Sequence, residues 1–248
     1  MPRLQKYEQK IRRYKDKLKK IITRIGISTI DQFELSTEVP TKFSLPCHIG
    51  ILFFGEYNEE LFDKIKNFLN QVFDSFFFDV RNLGAYNFSL KLISKGIKKE
   101  YREMKKSGTK IKIHPTNKFY QILINKRIEE NLGIIIAVTD LPLYSSSDDN
   151  ILFLFGETHL KHRCCVVSSL KLKEQFYNRP PMIKVFERRI IKEIIHEIGH
   201  IILGPDHCAE DSCVMCFSHD VEVIDKKSFD FCVKCKKKIE QIRIQYNF

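Results

Sequence analysis

The chain has 248 residues, 43% of them hydrophobic, which is enough for the core of one α/β domain, alone or with an appendage. No apolar run approaches the ~18–20 residues of a membrane-spanning helix, and the absence of low-complexity tracts argues against long disorder. The formal net charge is +11, and part of this excess is concentrated in the first residues of the chain.

A basic amphipathic segment comes first. Residues 1–24 carry ten Lys or Arg, and apolar side chains recur at spacings of three and four, which predicts a helix. We expect residues 1–40 to form this helix and a linker, and residues 41–248 to form the main domain. We favour a helix packed on that domain; self-association and contact with nucleic acid or an anionic membrane surface are the alternatives. The segment has no apolar signal-peptide core, which predicts a cytoplasmic protein.

Strands and helices alternate along the next part of the chain. Apolar runs predict strands at 48–55, within 78–93, and in LGIIIAVTD, ILFLFG and CCVVSSL, while helical spacing predicts helices over 58–77 and about 116–131. Residues 95–112 are basic and contain two glycines, so we expect an exposed excursion there. The alternation predicts an α/β fold with a largely parallel sheet and helices on its faces.

A histidine pair marks the last long predicted helix, residues 182–203. In the motif HEIGH, His196 and His200 are four residues apart and project from one side of the helix. Two imidazoles at this spacing can bind one zinc ion, and Glu197 is placed to take a proton from a zinc-bound water. The five-residue motif also occurs by chance. However, the surrounding helix is apolar on most sides, and a buried polar stripe needs a metal or a hydrogen-bond network.

A catalytic zinc needs a third protein ligand and one open position for water. That ligand should come from the segment GPDHC, where Gly204 can end the helix in a left-handed conformation and turn the chain back. His207 is the first choice.

Five of the eight cysteines lie between residues 208 and 235. CAEDSC and CVKC form two close pairs separated by a loop, the usual layout of a closed tetrahedral zinc site. Disulfides and a redox CxxC are the alternatives, but they need an oxidising compartment or a thioredoxin-like pattern. The predicted ligands of this structural zinc are Cys208, Cys213, Cys232 and Cys235. Cys216 is expected to be a plain buried thiol.

These motifs resemble the archaemetzincins, zinc metallopeptidases of the metzincin clan. The shared features are HExxH, a glycine, a histidine directly followed by a cysteine, Cx4C, CxM and a distal CxxC. The resemblance covers roughly residues 47–240 and is most specific in its last third. It implies a metzincin-like α/β fold with a mixed, mostly parallel sheet, an antiparallel edge strand, an active-site helix and a small zinc-stapled C-terminal subdomain.

The resemblance also implies a role for individual residues. Met215 would form a hydrophobic floor beneath the metal, and two zinc ions would bind each chain, one catalytic and one structural. The catalytic zinc would be held by His196, His200 and His207, with Glu197 as general base, and the structural zinc by Cys208, Cys213, Cys232 and Cys235.

The chain departs from the family pattern before the third ligand. Gly204 and His207 lie one residue further from His196 than in the family, so Asp206 occupies the customary ligand position. Carboxylates also bind zinc, which keeps Asp206 as an alternative. Adjacent residues of an extended segment point in opposite directions, so His207 and Cys208 can serve two different metals, which favours His207.

The sequence therefore predicts a zinc metallopeptidase that hydrolyses peptide or protein substrates. The resemblance implies that the edge of residues 151–159 pairs with an extended substrate, and His159 and His162 are expected to be exposed loop histidines. Two other classes remain open. One is a catalytically silent zinc module that binds partners, and the other is a basic nucleic-acid-associated or ribosome-associated protein that uses zinc only structurally.

Overall fold

The structure is a computed structural model that describes residues 26–30, 43–87, 98–101, 110–147 and 152–248. The predicted basic helix lies outside the described residues. In chain order the elements are β1 (Cys47–Phe54), α1 (Glu59–Val72), β2 (Phe77–Ala85), β3 (Lys98–Tyr101), β4 (Lys110–Pro115), α2 (Thr116–Glu129), β5 (Ile134–Thr139), β6 (Leu143–Tyr144), β7 (Leu152–Leu154), β8 (Gly156–His159), β9 (Cys164–Ser168), α3 (Ile183–Leu203), α4 (Val221–Lys226) and α5 (Val233–Tyr246). Two short 3-10 helices, Leu170–Leu172 and Glu174–Tyr177, connect β9 to α3.

The main sheet has the strand order β2-β1-β5-β9-β8. Its first four strands are parallel, and β8 pairs antiparallel with β9 at one edge. Every residue of β5 is buried, as expected for a parallel strand that is covered on both faces. The predicted mixed, mostly parallel sheet with an antiparallel edge strand is confirmed.

Helices cover both faces of this sheet because side chains alternate along each strand. In β1, Ile49, Ile51 and Phe53 belong to the core that contains buried residues of α1, α3 and α5. Leu52 and Phe54 belong to the opposite core, which contains the buried face of α2. Helix α3, which carries the HEIGH motif, is therefore held against one face of the sheet.

Three predicted elements differ from the structure. The helix predicted over 58–77 ends at Val72, because Ser75 adopts φ +65°, outside the helical region, and Phe77 begins β2. Residues 95–112 contain β3 and the start of β4, which pair with each other instead of forming an excursion throughout. The single strand predicted over 151–159 is two strands: β7 pairs with β6 in a second sheet, and β8 pairs with β9.

The described part of the predicted N-terminal unit contacts the main domain. Ile27 forms an isolated parallel bridge with Thr158 on β8. The division into residues 1–40 and 41–248 stays a prediction. None of the helices in the described part of the chain combines the length and the hydropathy that a membrane crossing requires.

Candidate metal centre

Two carbonyl groups orient the histidines of α3. The Nδ1–H of His196 donates to the Val214 carbonyl at 2.8 Å, and the Nδ1–H of His200 donates to the Gly204 carbonyl at 3.0 Å. Their Nε2 atoms consequently face each other at 3.1 Å. A backbone acceptor at one ring nitrogen is the usual way in which a protein fixes a histidine to bind metal through the other.

The chain turns after α3 and brings a third histidine to the pair. Gly204, with φ +98°, ends the helix, and its amide donates to the His200 carbonyl. The ring centroid of His207 lies 5.2 Å from that of His196 and 4.7 Å from that of His200. One ligand nitrogen from each histidine lies within 4.8 Å of the others, whereas Asp206 is exposed.

The histidines suit a divalent metal ion. Burial lowers the pKa of His196 well below its ordinary value and lowers the pKa of His200 to about 3. Both rings are therefore neutral at physiological pH, the form that binds a metal ion. Three convergent imidazoles form the ligand set of a catalytic zinc site that keeps one position open.

Glu197 lies beside the histidines with its carboxyl group buried against β8. Thr158 Oγ1 lies 2.5 Å from Glu197 Oε2, and a Cβ added at Gly156 would lie 2.5 Å from Glu197 Oε1. Only glycine at position 156 therefore lets the strand approach this close. Burial raises the pKa of Glu197 well above its ordinary value, the hydrogen bond from Thr158 opposes the shift, and the nearby Glu193 adds to it.

A buried carboxyl group, that of Glu193, lies one turn earlier on α3, next to the buried amine of Lys227. Glu193 Oε1 lies 4.0 Å from Lys227 Nζ, and both side chains are almost completely buried. Burial raises the pKa of Glu193 and lowers that of Lys227, and attraction between the two opposes both shifts. The attraction between Glu193 and Lys227 therefore offsets part of the free-energy cost of burying the two groups.

Glu193, His196, Glu197 and His207 line a cleft of about 250 Å³. Its walls include His196, Glu197 and His207 on one side, and Phe155 and Gly156 of the β7–β8 segment on the other. A molecule in this cleft would lie next to His196, His207, Glu197 and Gly156 of β8.

The four cysteines predicted to bind zinc also converge. Their sulfur atoms lie within 4.8 Å of one another, and Cys208 Sγ lies 3.6 Å from Cys232 Sγ. The amides of Cys232 and Glu210 donate to the sulfurs of Cys213 and Cys208, respectively. All eight cysteines are free, and Cys216 is half-buried, not fully buried as expected.

Hydrogen bonds and burial shift the pKa values of the cysteine thiols in opposite directions. Burial raises the pKa of Cys232, but hydrogen bonds from the Cys235 amide and neighbouring thiols outweigh burial and lower it to about 7. Burial raises the pKa of Cys213 to about 11 and also raises that of Cys235, so a zinc ion would have to supply the positive charge that four thiolates need.

Sequence reasoning missed several residues around the site. Thr158 contacts Glu197, and Lys227 lies beside Glu193. Both partners are distant in sequence, and no local pattern indicates either contact. His159 and His162, expected to be exposed, are buried beside each other with ring centroids 4.7 Å apart. Met215, in contrast, is buried as predicted, and a Cβ on Gly199 would lie 2.3 Å from its sulfur.

A comparison with protein families decides the identity of the chain. The sequence model of peptidase family M54 matches residues 47–241, which include every predicted site residue. The chain belongs to peptidase family M54. The resemblance to archaemetzincins is thereby confirmed, and the match begins at β1.

Relatives of this M54 chain carry the name archaemetzincin. The protein from Methanocaldococcus jannaschii is 38% identical over 122 residues, which cover 49% of this chain and 66% of that relative. The protein from Saccharolobus solfataricus is 43% identical over 112 residues, which cover 45% and 58%. The aligned part thus spans less than two thirds of the length of these curated relatives.

Solved structures agree with the M54 fold. The archaemetzincin from Archaeoglobus fulgidus, crystallised with malonate, has a TM-score of 0.54 and 27% identity, with 77% of this chain and 99% of that chain covered. The archaemetzincin from Methanopyrus kandleri has a TM-score of 0.59, 19% identity and coverage of 83% and 98%, which shows the shared fold alone.

Proposed function

We propose that this M54 family member is a zinc metallopeptidase that hydrolyses peptide bonds in peptide or protein substrates. The observation that carries the proposal is the convergence of three histidines beside a buried carboxyl group in one open cleft. A zinc ion held by His196, His200 and His207 would polarise the scissile carbonyl and acidify a water molecule. The position of His207 supports the enzyme over the catalytically silent module, because a catalytic zinc needs a third protein ligand beside His196 and His200.

Glu197 would act as general base. Its buried carboxyl group has a raised pKa, so it can accept a proton from water and later donate it to the leaving amine. Thr158 would hold this carboxyl group in place, and Met215 would support the histidine-bearing helix from below.

We further propose that Cys208, Cys213, Cys232 and Cys235 hold a second, structural zinc, giving two ions per chain. The four sulfurs have the ligand type and number of a closed tetrahedral site. All eight cysteines are free thiols, which suits a reducing compartment. A cytoplasmic location stays a prediction. Packing of the basic N-terminal helix on the domain stays a prediction, with nucleic-acid contact as its less favoured alternative, because residues 1–24 lie outside the described residues.

The edge of β8 is the proposed site of substrate pairing. Gly156 lies in the cleft next to Glu197, and an extended peptide could add to this edge by backbone hydrogen bonds.

Zinc stoichiometry and cleavage of a randomised peptide library would test the proposed function. The parent should bind two zinc ions and cleave peptides, and Glu197→Gln should keep both ions but lose cleavage. A parent with two bound zinc ions and no cleavage at any peptide length would contradict the peptidase assignment. A single bound ion would instead support the silent module or the nucleic-acid-associated protein.

A further inference from the structure

The outer edge of β8 already carries a segment of this chain. The Ser28 amide donates to the Thr158 carbonyl at 2.7 Å, and the Thr158 amide donates to the Gly26 carbonyl at 2.6 Å. Ile27 between them pairs parallel with Thr158. Both backbone groups of Thr158 are therefore engaged on the side where a peptide would pair.

The β8–β9 ladder shows which backbone groups a peptide could reach. The Ser168 amide donates to the Phe155 carbonyl, and in an antiparallel ladder every second residue faces the same partner. Phe155 and Glu157 consequently face β9, whereas Gly156 and Thr158 direct their N–H and C=O groups to the outer edge. Of these two outward-facing residues of β8, Thr158 is occupied.

The segment also reaches the cleft itself. Gly26 lines the cleft together with Gly156, and a Cβ added at Gly26 would lie 3.6 Å from the Gly156 carbonyl oxygen. Gly26 adopts φ +92°, a conformation that glycine enters without strain. Gly26 therefore lies at the border between the cleft and the outer edge of β8.

Side-chain contacts anchor the segment on this edge. Ser147 Oγ accepts a hydrogen bond from the Thr29 amide at 2.8 Å and lies 3.0 Å from Ser28 Oγ. The imidazole of His159 donates to the Ile30 carbonyl through Nε2. Ser28 is buried, so the segment is packed against the domain as well as hydrogen-bonded to it.

We propose that residues 26–30 are a specificity-determining segment that limits how far a peptide can pair along β8. This inference rests on the proposed peptidase function and on substrate pairing with β8. A peptide that stops before Thr158 leaves the two ladder bonds of the segment intact. A peptide that continues to Thr158 must displace it, because the outward N–H and C=O of Thr158 already form their ladder bonds.

Two substitutions at one position separate the backbone bond from the side chain. Ser28→Pro removes the amide that donates to Thr158 but suits the extended chain, because the residue before a proline also favours extended geometry. Ser28→Ala keeps that amide and removes only the contact with Ser147. The two variants and the parent are loaded with zinc and compared on a randomised octapeptide library and a randomised tripeptide library.

Ser28→Pro should raise the ratio of kcat/KM for octapeptides to kcat/KM for tripeptides about three- to tenfold, the effect of one lost backbone hydrogen bond. Ser28→Ala should stay close to the parent ratio. An unchanged or lower ratio in Ser28→Pro, with tripeptide cleavage retained, overturns the inference but leaves the peptidase assignment standing. Absence of cleavage in all three proteins overturns both.

Hydrogen exchange in the Glu197→Gln protein gives a second measurement that does not depend on how the proline variant folds. Saturation with the octapeptide library should remove the protection of the Ser28 amide from hydrogen exchange. The Thr158 amide should stay protected, because a peptide carbonyl replaces the Gly26 carbonyl as its hydrogen-bond acceptor. The tripeptide library should leave both amides protected. If octapeptides bind and the Ser28 amide keeps its protection, the segment does not compete with substrate and the inference is wrong.

Discussion

Thr158 Oγ1 lies 2.5 Å from the Oε2 atom of Glu197 and 3.0 Å from the Glu197 carbonyl oxygen. This one side chain therefore connects the sheet edge to both the carboxyl group and the backbone of the proposed general base. The connection is buried, so water does not compete for it.

The first prediction follows from this contact. Thr158→Val keeps the shape and the backbone pairing of Thr158 but removes the hydroxyl group. Because the Glu197 carboxyl group loses its fixed partner, kcat should fall about tenfold, the effect of one hydrogen bond to a charged group. Steady-state kinetics at full zinc occupancy measure this effect. Thr158→Ser keeps the hydroxyl group and should retain most of the activity; equal losses in both variants would assign Thr158 a packing role only.

The second prediction concerns the third histidine. His207→Ala should lose the catalytic zinc and peptidase activity, because only two ligands remain, whereas exposed Asp206→Ala should keep both. Zinc content by elemental analysis, together with cleavage of the peptide library, measures the outcome. Our assignment is wrong if the aspartate variant loses the catalytic zinc and the histidine variant keeps it. Retention of the cysteine-bound zinc in both variants serves as the internal control.

The third prediction compares two cysteines that lie on either side of α4. Cys232→Ser removes one of four converging sulfurs, whereas Cys216→Ser removes a thiol that lies outside that cluster. The melting temperature should fall more in Cys232→Ser, because a structural zinc contributes folding free energy directly. Thermal unfolding with and without a chelator measures the difference. Small and equal effects in the two variants would remove the case for a structural zinc.

The fourth prediction concerns the pH dependence of stability. Lys192 donates to the carbonyl groups of Ile224 and Asp225, yet burial lowers its pKa from 10.5 to about 8. Between these values the unfolded chain binds more protons at this group than the folded chain does, so the stability contribution of Lys192 rises with pH.

The comparison variant for this effect is Lys192→Met, which cannot titrate. The free energy of unfolding of the parent minus that of the variant should increase from pH 8 to pH 10.5 and level off outside this window. Denaturant unfolding at matched pH values measures the difference. A constant difference across the window would show that the amine titrates alike in both states.

The fifth prediction concerns the floor beneath the histidines. In Gly199→Ala the new methyl group would lie 2.3 Å from Met215 Sδ, which is buried and has little room to move. Overpacking should cost about 1–3 kcal/mol of stability. Met215→Ala in the same chain should recover part of this loss by opening space. If Gly199→Ala leaves the unfolding free energy unchanged, the sulfur does not press on the helix.

The two clusters of candidate metal ligands could be predicted because much of their geometry is local. His196 and His200 share one helix face at fixed spacing. The close pairs CAEDSC and CVKC bring sulfurs together within a short loop and at the start of α5, respectively. The parallel sheet was also predictable, since buried apolar runs alternate with amphipathic helices. Each of these patterns depends on neighbours in sequence, for which helix and strand periodicity sets the geometry.

Other features required the tertiary structure. Thr158 reaches Glu197 across 39 residues, and Lys227 lies beside Glu193 although nothing in the surrounding sequence marks the pair. The strand predicted over 151–159 divides at Phe155 because its two halves find partners in different sheets.

The pairing of residues 26–28 with the outer edge of β8 also required the tertiary structure. Ser28 lies far from Thr158 in the chain, and the segment around it carries no pattern that predicts a strand. Backbone groups of any sequence can form ladder bonds, so the identity of the partner depends on which segments packing brings together. Sequence spacing thus determined which residues could bind metal, and long-range packing decided what surrounds them and what covers the edge beside them.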